Sequence, residues 1–469
     1  MPYNSFEHYS MSWSPDKDRL TYPYYASIAS LLEDDITDGF LPENTLLPPQ
    51  RELADFLDLS LSTITKAYKL CELKGLVYGI VGKGTFVSVG RVNKTIIPDN
   101  EAEMIEMGIT IPFYEQNQVA VQIAGEILID PKAHMLFEYS DPFGTLRQRA
   151  AAQKWMSIFG IHVPKENICI ASGAQNALAI ALISHFNAGD KIITDTFTYP
   201  NFISLANMLN IQLISVKGDE DGIIPEALEQ VCKNSKIRGI YLMPSCSNPT
   251  NVVMSHKRRK EIARLIKKHE LILIEDDTYA FLSADAIAPL SSMLTEQSIY
   301  INGVSKALCA GLRVAYMSFP NWLYKSIKNA VHNVNLKTPS LNVEIATEII
   351  LRGTYRELIA RKRLAAAERN DIFAEYFHEH LLPPNKATFF QWLHLPDTCT
   401  GKLLELKCRE AGVNIYGSER FCVGESNGIN AVRISISSPP SLSELRKGLG
   451  IIRKKFDDVR QQETPVLFV

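Results

Sequence analysis

Residues 47–88 read LPPQRELADFLDLSLSTITKAYKLCELKGLVYGIVGKGTFVS. Leu53, Ala54 and Leu57 recur at helical spacing directly after the Pro48–Pro49 pair, so a short helix is predicted to begin past the prolines. Ser60 stands at the N-cap position of a further helix, where its hydroxyl can accept from a backbone N–H that has no partner within the helix. Ile64, Tyr68, Cys71 and Leu73 supply that helix with an apolar stripe, and Gly75 stands where a glycine would end it. LVYGIV and TFVSV then flank Gly82-Lys83-Gly84, two β-prone runs joined by a glycine turn. Toward the N-terminus, Ile28, Leu31, Leu32 and Ile36 predict one more helix, which stops at Gly39.

Helix, helix, turn, helix, hairpin is the order of a winged helix-turn-helix (α+β), expected over 20–89, and the quoted stretch closely resembles the GntR-type DNA-binding domain. The resemblance implies a double-stranded DNA operator as partner. In it the helix that begins near Ser60, with Ser62, Thr63 and Lys66, enters the major groove. Arg51, opening the preceding helix, grips phosphate or a base, and Lys83 lies on a wing that reaches the backbone. Charge alone does not announce this surface. Residues 45–90 hold Arg51, Lys66, Lys69, Lys74 and Lys83 against Glu52, Asp55, Asp58 and Glu72, whereas phosphate neutralisation normally draws on a larger cationic excess. Leu61 follows the serine of the turn where many relatives carry arginine, so the target sequence of those relatives does not transfer.

The chain has 469 residues, room for about three folding units. Apolar residues at 46% and charged residues at 22% describe an ordinary globular protein and exclude a disordered one. The 49 basic and 52 acidic side chains leave a net charge of -3, which excludes a whole-molecule polyanion binder and makes any nucleic-acid surface local. Eight cysteines without C-x-x-C spacing read as reduced thiols of a cytoplasmic protein, with neither a disulfide frame nor a metal site expected. No cationic leader followed by an apolar run occurs, and no apolar stretch is long enough to span a bilayer, so neither secretion nor a membrane partner is expected.

Residues 90–107 are polar and aperiodic, with Pro98-Asp99-Asn100 and Glu101, Glu103 and Glu106, and read as a linker. From Gly108 to about 335 short β-branched runs (NICIASG, KIITD, IQLISV, IRGIYLMP, LILIEDD, SIYING, RVAYMSFP) alternate with helical patterns. Several runs are apolar on both faces, which implies an α/β domain with a mainly parallel sheet covered on both sides. From 336 to 469 long charged helices, then FFQWLHL, VNIYG, AVRIS and a last helical segment, predict a smaller α+β subdomain of the same 108–469 domain.

In an open α/β sheet, ligands bind at the carboxyl ends of the strands, so the residues just past each apolar run carry the chemistry. After NICIA come Ser172-Gly173-Ala174-Gln175, small residues that open a helix whose free N–H groups suit a phosphate, or that simply pack tightly. After LILIE come Asp276, Asp277, Thr278 and Tyr279; a carboxylate here can equally be a helix cap. After SIYIN come Gly303-Val304-Ser305-Lys306, with Arg313 seven residues on, and Asn248-Pro249-Thr250 lies between, by itself an ordinary turn.

Together and in this order SGAQNAL, SNPT, DDTY, VSKALCAGLR and AVRIS resemble the fold-type-I pyridoxal-phosphate aminotransferases. With the N-terminal domain attached, practically the whole chain resembles the MocR branch of the GntR regulators. The resemblance implies pyridoxal 5'-phosphate as cofactor, an electron sink that needs a lysine to hold its aldehyde and a carboxylate to keep its pyridine nitrogen protonated. Lys306 matches that catalytic lysine and Asp276 that carboxylate; Tyr279 and Asn248 match the phenol and amide beside the ring oxygen, and Tyr199 the aromatic stacked on the ring. The phosphate falls to the N–H groups of Ala174 and Gln175, to Ser305 and to Arg313. Tyr139, in EYSDPFG, matches a tyrosine that reaches the phosphate of a neighbouring subunit, implying a homodimer. Arg433, in AVRIS, matches the arginine that grips an α-carboxylate, implying a small amino-acid-like effector. Two departures stand out. Gly303 replaces a frequent serine, removing a phosphate contact worth about 1 kcal/mol, and Asn251 replaces a glycine after NPT, at a turn where asparagine tolerates left-handed backbone.

These features predict a transcriptional regulator in which the cofactor, or an amino acid condensing with it, modulates operator binding. The alternative is a working aminotransferase with an accessory DNA-binding domain, and a ligand-free scaffold is the third reading. An intact wing and turn favour the regulator, since an enzyme has no evident use for them.

Overall fold

Fourteen residues of apolar-polar alternation at helical period give α1 (Tyr24–Thr37), and α2 (Gln50–Leu57), α3 (Leu61–Leu73) and the hairpin β1 (Val77–Ile80) and β2 (Gly84–Val87) follow. Ile28, Leu31, Leu32, Ile36, Leu53, Ala54, Leu57, Ile64, Tyr68 and Cys71 meet in one buried core. The Thr63 N–H donates to Ser60 Oγ at 3.3 Å, the cap read from the sequence. Tyr68 donates its hydroxyl to the Pro48 carbonyl at 2.7 Å, tying α3 to the proline pair. The strand pair is antiparallel, Val77 opposite Val87, and Thr45–Leu47 adds to it through Leu47 N–H to Thr85 O and Val87 N–H to Thr45 O. Gly84, at φ +116, permits this because a Cβ there would lie 2.7 Å from Leu46 Cδ1.

This computed structural model describes residues 11–37, 40–42, 45–73, 76–80, 84–87, 104–283, 287–380, 387–424 and 428–461. Gly39, Gly75, Gly82, Lys83, Pro98-Asp99-Asn100, Glu101 and Glu103 lie outside the described residues. The chain divides into two units, 1–93 and 94–469. No described helix is long and apolar enough to cross a membrane.

The second unit starts with β3 (Ile105–Glu106), α4 (Asn117–Ile129) and α5 (Leu146–Ile158). Then come β4 (Ile168–Ala171), α6 (Ala174–His185), β5 (Lys191–Asp195), α7 (Pro200–Met208), β6 (Gln212–Val216) and the short pair β7 (Gly218–Asp219) and β8 (Gly222–Ile223). They are followed by α8 (Pro225–Asn234), β9 (Gly239–Leu242), α9 (His256–Lys268), β10 (Ile272–Asp276), β11 (Ser298–Gly303), α10 (Val304–Ala307) and β12 (Ala315–Ser318). The remainder is α11 (Tyr324–Val334), α12 (Ser340–Arg352), α13 (Tyr355–Tyr376), β13 (Phe390–His394), α14 (Gly401–Glu410), β14 (Val413–Asn414), β15 (Tyr416–Gly417), β16 (Ala431–Ser435) and α15 (Leu442–Gln461).

Seven strands form the main sheet in the order β4-β12-β11-β10-β9-β5-β6. All neighbours are parallel except β12, which is antiparallel to both β11 and β4. Strands β4, β9, β10, β11 and β12 are buried along their whole length, as expected of a sheet covered on both faces. The smaller subdomain is the sheet β13-β16-β15 with α14 and α15 over a separate core.

Two boundaries differ from those expected. Ile105–Glu106, assigned to the linker, is a strand parallel to β14, and Met107 is fully buried in the small-subdomain core, so the folded unit begins before Gly108. The subdomain border at 335/336 also moves. Val343, Ile349, Tyr355 and Leu358 of α12 and α13 belong to the large core, and Ile372 and Phe373 of the same α13 belong to the small one. At 22 residues α13 is about 33 Å long, enough to cross from one core to the other.

A buried cation fixes the loop between β9 and α9. Arg259, fully buried, donates to the carbonyls of Met254, Ile287, Ala288 and Pro244, beside the carboxylates of Glu275 and Asp277, whose protonation burial favours and Arg259 opposes. Arg259→Met is therefore expected to cost about 3–5 kcal/mol, since two buried carboxylates lose their counter-charge. Urea unfolding followed by circular dichroism checks this, and a midpoint unchanged from wild type would remove Arg259 from that role.

Candidate functional site

The carboxyl ends of β4, β5, β9, β10 and β11 converge on a cavity of about 220 Å³. Asp276, Lys306, Arg313, Arg433, Asn248 and Tyr279 line it, as do Ala174, Gln175, Tyr199 and Ser305. All but one of the residues expected around the cofactor and effector are thus brought together. The exception, Tyr139, lies on the loop after α4 with its side chain exposed and does not reach this cavity.

Asp276 ends β10 with its carboxylate out of water. Oδ1 accepts from the Thr278 hydroxyl at 2.6 Å and Oδ2 from the Tyr241 hydroxyl at 3.2 Å. Burial raises its pKa while these hydrogen bonds hold it down. Tyr241 is itself clamped, its ring stacked on Phe202 with centroids 3.7 Å apart. Tyr279, three residues on, is edge-to-face with Phe390, and burial raises its phenol too.

Lys306 sits on the single turn α10, directly past β11. Burial first, then the nearby Arg433, Arg313 and Lys362, push its amine down to about 7. Its Nζ donates to the Thr110 carbonyl. Lys362 of α13 pins this turn from below, donating to the carbonyls of Lys306 and Leu308 at 3.0 Å each, and is itself lowered to about 8 by burial.

Arg313 has a left-handed backbone, φ +50, and its Nη1 donates to Ser305 Oγ at 3.1 Å. Its guanidinium lies against Gly173, the N-cap of α6, where a Cβ would come within 2.5 Å of Nη2. The fork therefore shares the open N–H end of α6 with Ala174 and Gln175, an arrangement suited to an anion. Tyr199 holds the N-cap of α7, and burial raises its phenol to about 12. Asn251 takes φ +61, the left-handed turn that the glycine of relatives would supply, and its side chain donates to the Phe390 carbonyl at 2.6 Å.

Arg433 rises from β16 of the small sheet and is buried. Nη1 donates to Asn248 Oδ1 at 2.6 Å, Nη2 donates to the Gly108 carbonyl, and Nε has no partner. Phe421, Phe390 and Tyr416 surround the guanidinium with ring centroids 4.7–5.9 Å away.

Sequence reading missed the strap formed by residues 105–111. Gly108 accepts from Arg433, Thr110 accepts from Lys306, and Ser437 and Ser438 donate to the carbonyls of Ile111 and Ile109. It also missed Thr278, Tyr241 and Lys362. Thr278 stood in plain sight beside Asp276; the others lie on elements whose proximity only the fold reveals.

In the first unit, Arg51, Ser60, Ser62 and Lys66 are exposed and Thr63 is half-buried. Ser60 Oγ lies 2.8 Å from both Ser62 Oγ and Thr63 Oγ1. Among the described residues no cluster of three metal-ligating side chains occurs.

Residues 102–450 match the family described as aminotransferase class I and II, and residues 24–87 that of bacterial regulatory proteins, gntR family. The HTH-type transcriptional regulator YdeF of Bacillus subtilis is 38% identical over 461 residues, covering 98% of this chain and all of that one. A 2-aminoadipate transaminase of Thermus thermophilus is 27% identical over 343 residues, 71% of this chain and 84% of that one. Among solved structures, an archaeal alanine:glyoxylate aminotransferase superposes with a TM-score of 0.70 at 25% identity, over 76% of this chain and 92% of its own. A GntR-type helix-turn-helix joined to a complete aminotransferase-like fold, with a full-length relative of the same build, identifies the chain as a transcriptional regulator of the MocR branch of the GntR family.

Proposed function

We propose that the regulator holds pyridoxal 5'-phosphate on Lys306, reads an amino acid through Arg433, and changes its grip on a DNA operator in response. One observation supports this reading above the rest: an amine lowered to about 7, a buried carboxylate and two arginine forks surround a single cavity. The donor set fits the cofactor. The Arg313 fork, Ser305 and the N–H end of α6 suit its phosphate, Asp276 its pyridine nitrogen, and Tyr279 and Asn248 its ring oxygen. The Arg433 Nε and the Gln175 side-chain oxygen, buried without partners, leave hydrogen-bonding capacity at this cavity. When bound, the cofactor supplies an electron sink and an electrophilic carbon for an amine.

The chain's own groups do the rest. Lys306, its amine lowered to about 7, is in large part neutral near that pH. Asp276, braced by Thr278 and Tyr241, presents a carboxylate toward a ring nitrogen, and Arg433 offers a planar fork to a carboxylate. An amino acid bears both the amine and the carboxylate. Seating it draws Arg433 off the Gly108 carbonyl and brings the smaller subdomain over the sheet, a closure of the kind that carries such signals. The exposed Tyr139 suits completion of a second subunit's site in a cytoplasmic homodimer. In the first unit Arg51, Ser60, Ser62, Thr63, Lys66 and Lys83 form the surface for the operator.

Lys306→Ala should abolish the visible absorption of the cofactor-loaded protein. In the wild type, the neutral amine predominates above a pKa of about 7, so the rate of cofactor uptake by the apo-protein should rise with pH and level off just above 7. Uptake that goes on rising to about pH 10, the ordinary lysine range, would contradict the lowered amine. Retention of the band in the alanine variant would contradict the assignment of the lysine.

Arg433→Ala should keep the cofactor band yet need about tenfold or more amino acid for the same spectral response, because a charge-assisted fork is lost. An unchanged titration would take the carboxylate away from Arg433. Rapid keto-acid formation by the wild type would favour an enzyme over a sensor.

Arg51→Ala and Lys83→Ala should each weaken operator binding and, where the lost contact is to phosphate, reduce the salt slope by about one unit. Filter binding at several salt concentrations reads this. Equal slopes and affinities in wild type and both variants would remove these residues from the interface.

A further inference from the structure

A second cavity, about 840 Å³, lies beside the first and shares Met243 with it as a wall. One side is the large subdomain, with Asp195 at the end of β5, Phe197 just past it and the loop running to Met254. The other side is Trp392 and His394 of β13 with Glu379 and His380 after α13. An occupant that spans the space therefore touches both subdomains.

Its lining combines two features. Apolar and aromatic side chains, Phe197, Met243, Val252, Met254 and Trp392, make most of the surface, and the Phe197 and Trp392 rings sit 5.3 Å apart. Against them stands the Asp195 carboxylate. Neighbouring carboxylates of the lining are matched within the fold, Asp219 by Arg258 and Glu379 by Arg453. Among the described residues no cationic side chain pairs with Asp195, and burial pushes its carboxyl up to about 7. Four carboxylates (Asp195, Asp219, Glu220 and Glu379) line the space against one lysine, Lys217. Burial keeps His380 and His394 below their ordinary values and so favours their neutral form.

A half-buried carboxylate lining a largely apolar space without a counter-ion carries a desolvation cost that a cationic ligand offsets. Aromatic walls add attraction for a planar cation, and the volume is that of a small-molecule site. We propose that this cleft is a second ligand site, distinct from the Lys306 cavity, that takes a small organic cation with an aromatic or apolar body, its charge on Asp195 and its body against Phe197 and Trp392. The site stands independently of the cofactor reading.

Benzamidine is the probe: planar, cationic, and not an ordinary amine that would condense with an aldehyde. Calorimetry on the full-length, cofactor-saturated protein at about pH 8, where Asp195 is ionised, should show binding in the range of about 0.1–1 mM. Its neutral isostere benzamide should bind at least about tenfold more weakly, and so should benzamidine to Asp195→Asn, since each loses the charge-assisted pair. Circular dichroism on the variant verifies that it is folded. No binding by wild type up to about 10 mM, equal affinity for benzamide, or equal affinity in folded Asp195→Asn would each overturn the proposal. Binding present in apo-protein and lost on loading the cofactor would also overturn it, by placing the probe in the Lys306 cavity. Failure of the cofactor reading would show separately, as missing visible absorption with benzamidine affinity intact.

Discussion

A charged group taken out of water must find other charges or dipoles to replace its hydration, and the second unit is organised around that requirement. Its sheet is buried on both faces, so the polar side chains of the site collect at the strand ends. There Asp276 is held by Thr278 and Tyr241, Arg259 by four carbonyls, and Arg433 by Asn248, Gly108 and three aromatic rings. These partners come from several elements, with Pro244, Asn248 and Met254 on the one loop between β9 and α9. The charges consequently set the spacing of β9, β10, β16 and the strap as firmly as the apolar core sets the layers.

Lysines follow the opposite course. Lys306 and Lys362 donate to backbone carbonyls and not to carboxylates, and burial moves both amines toward neutrality, helped at Lys306 by the positive charge of Arg433 and Arg313. Burial thus shifts both kinds of group toward neutrality, and at Asp276 the hydrogen bonds from Thr278 and Tyr241 oppose it. The lowering of the Lys306 amine follows first from its burial and then from the charges of Arg433, Arg313 and Lys362.

The layers were legible from hydrophobic runs, because a strand buried on both faces leaves an uninterrupted apolar word such as LILIE or SIYIN. Candidate site residues were legible for a different reason: Asp276 and Lys306 stand at or just past the ends of such words, and their order with Arg313 matches a family pattern. The cap at Ser60 was readable because its effect is local, confined to one turn of chain. What escaped reading is what depends on distant pairing. Nothing within residues 105–111 signals that Gly108 will meet Arg433, 325 residues away, and a polar composition there reads equally as tether or strand. The subdomain border was misplaced because α13 has a continuous helical pattern and changes core midway along it.

The pairing of β3 with β14 also sets a timetable. Among the described residues, the last contributor to the core of the first unit is Val87, whereas Glu106 waits for Asn414, 308 residues later. At about 5–20 residues per second of synthesis this is a delay of roughly 15 to 60 s. A nascent chain therefore carries a finished helix-turn-helix well before its other half can close.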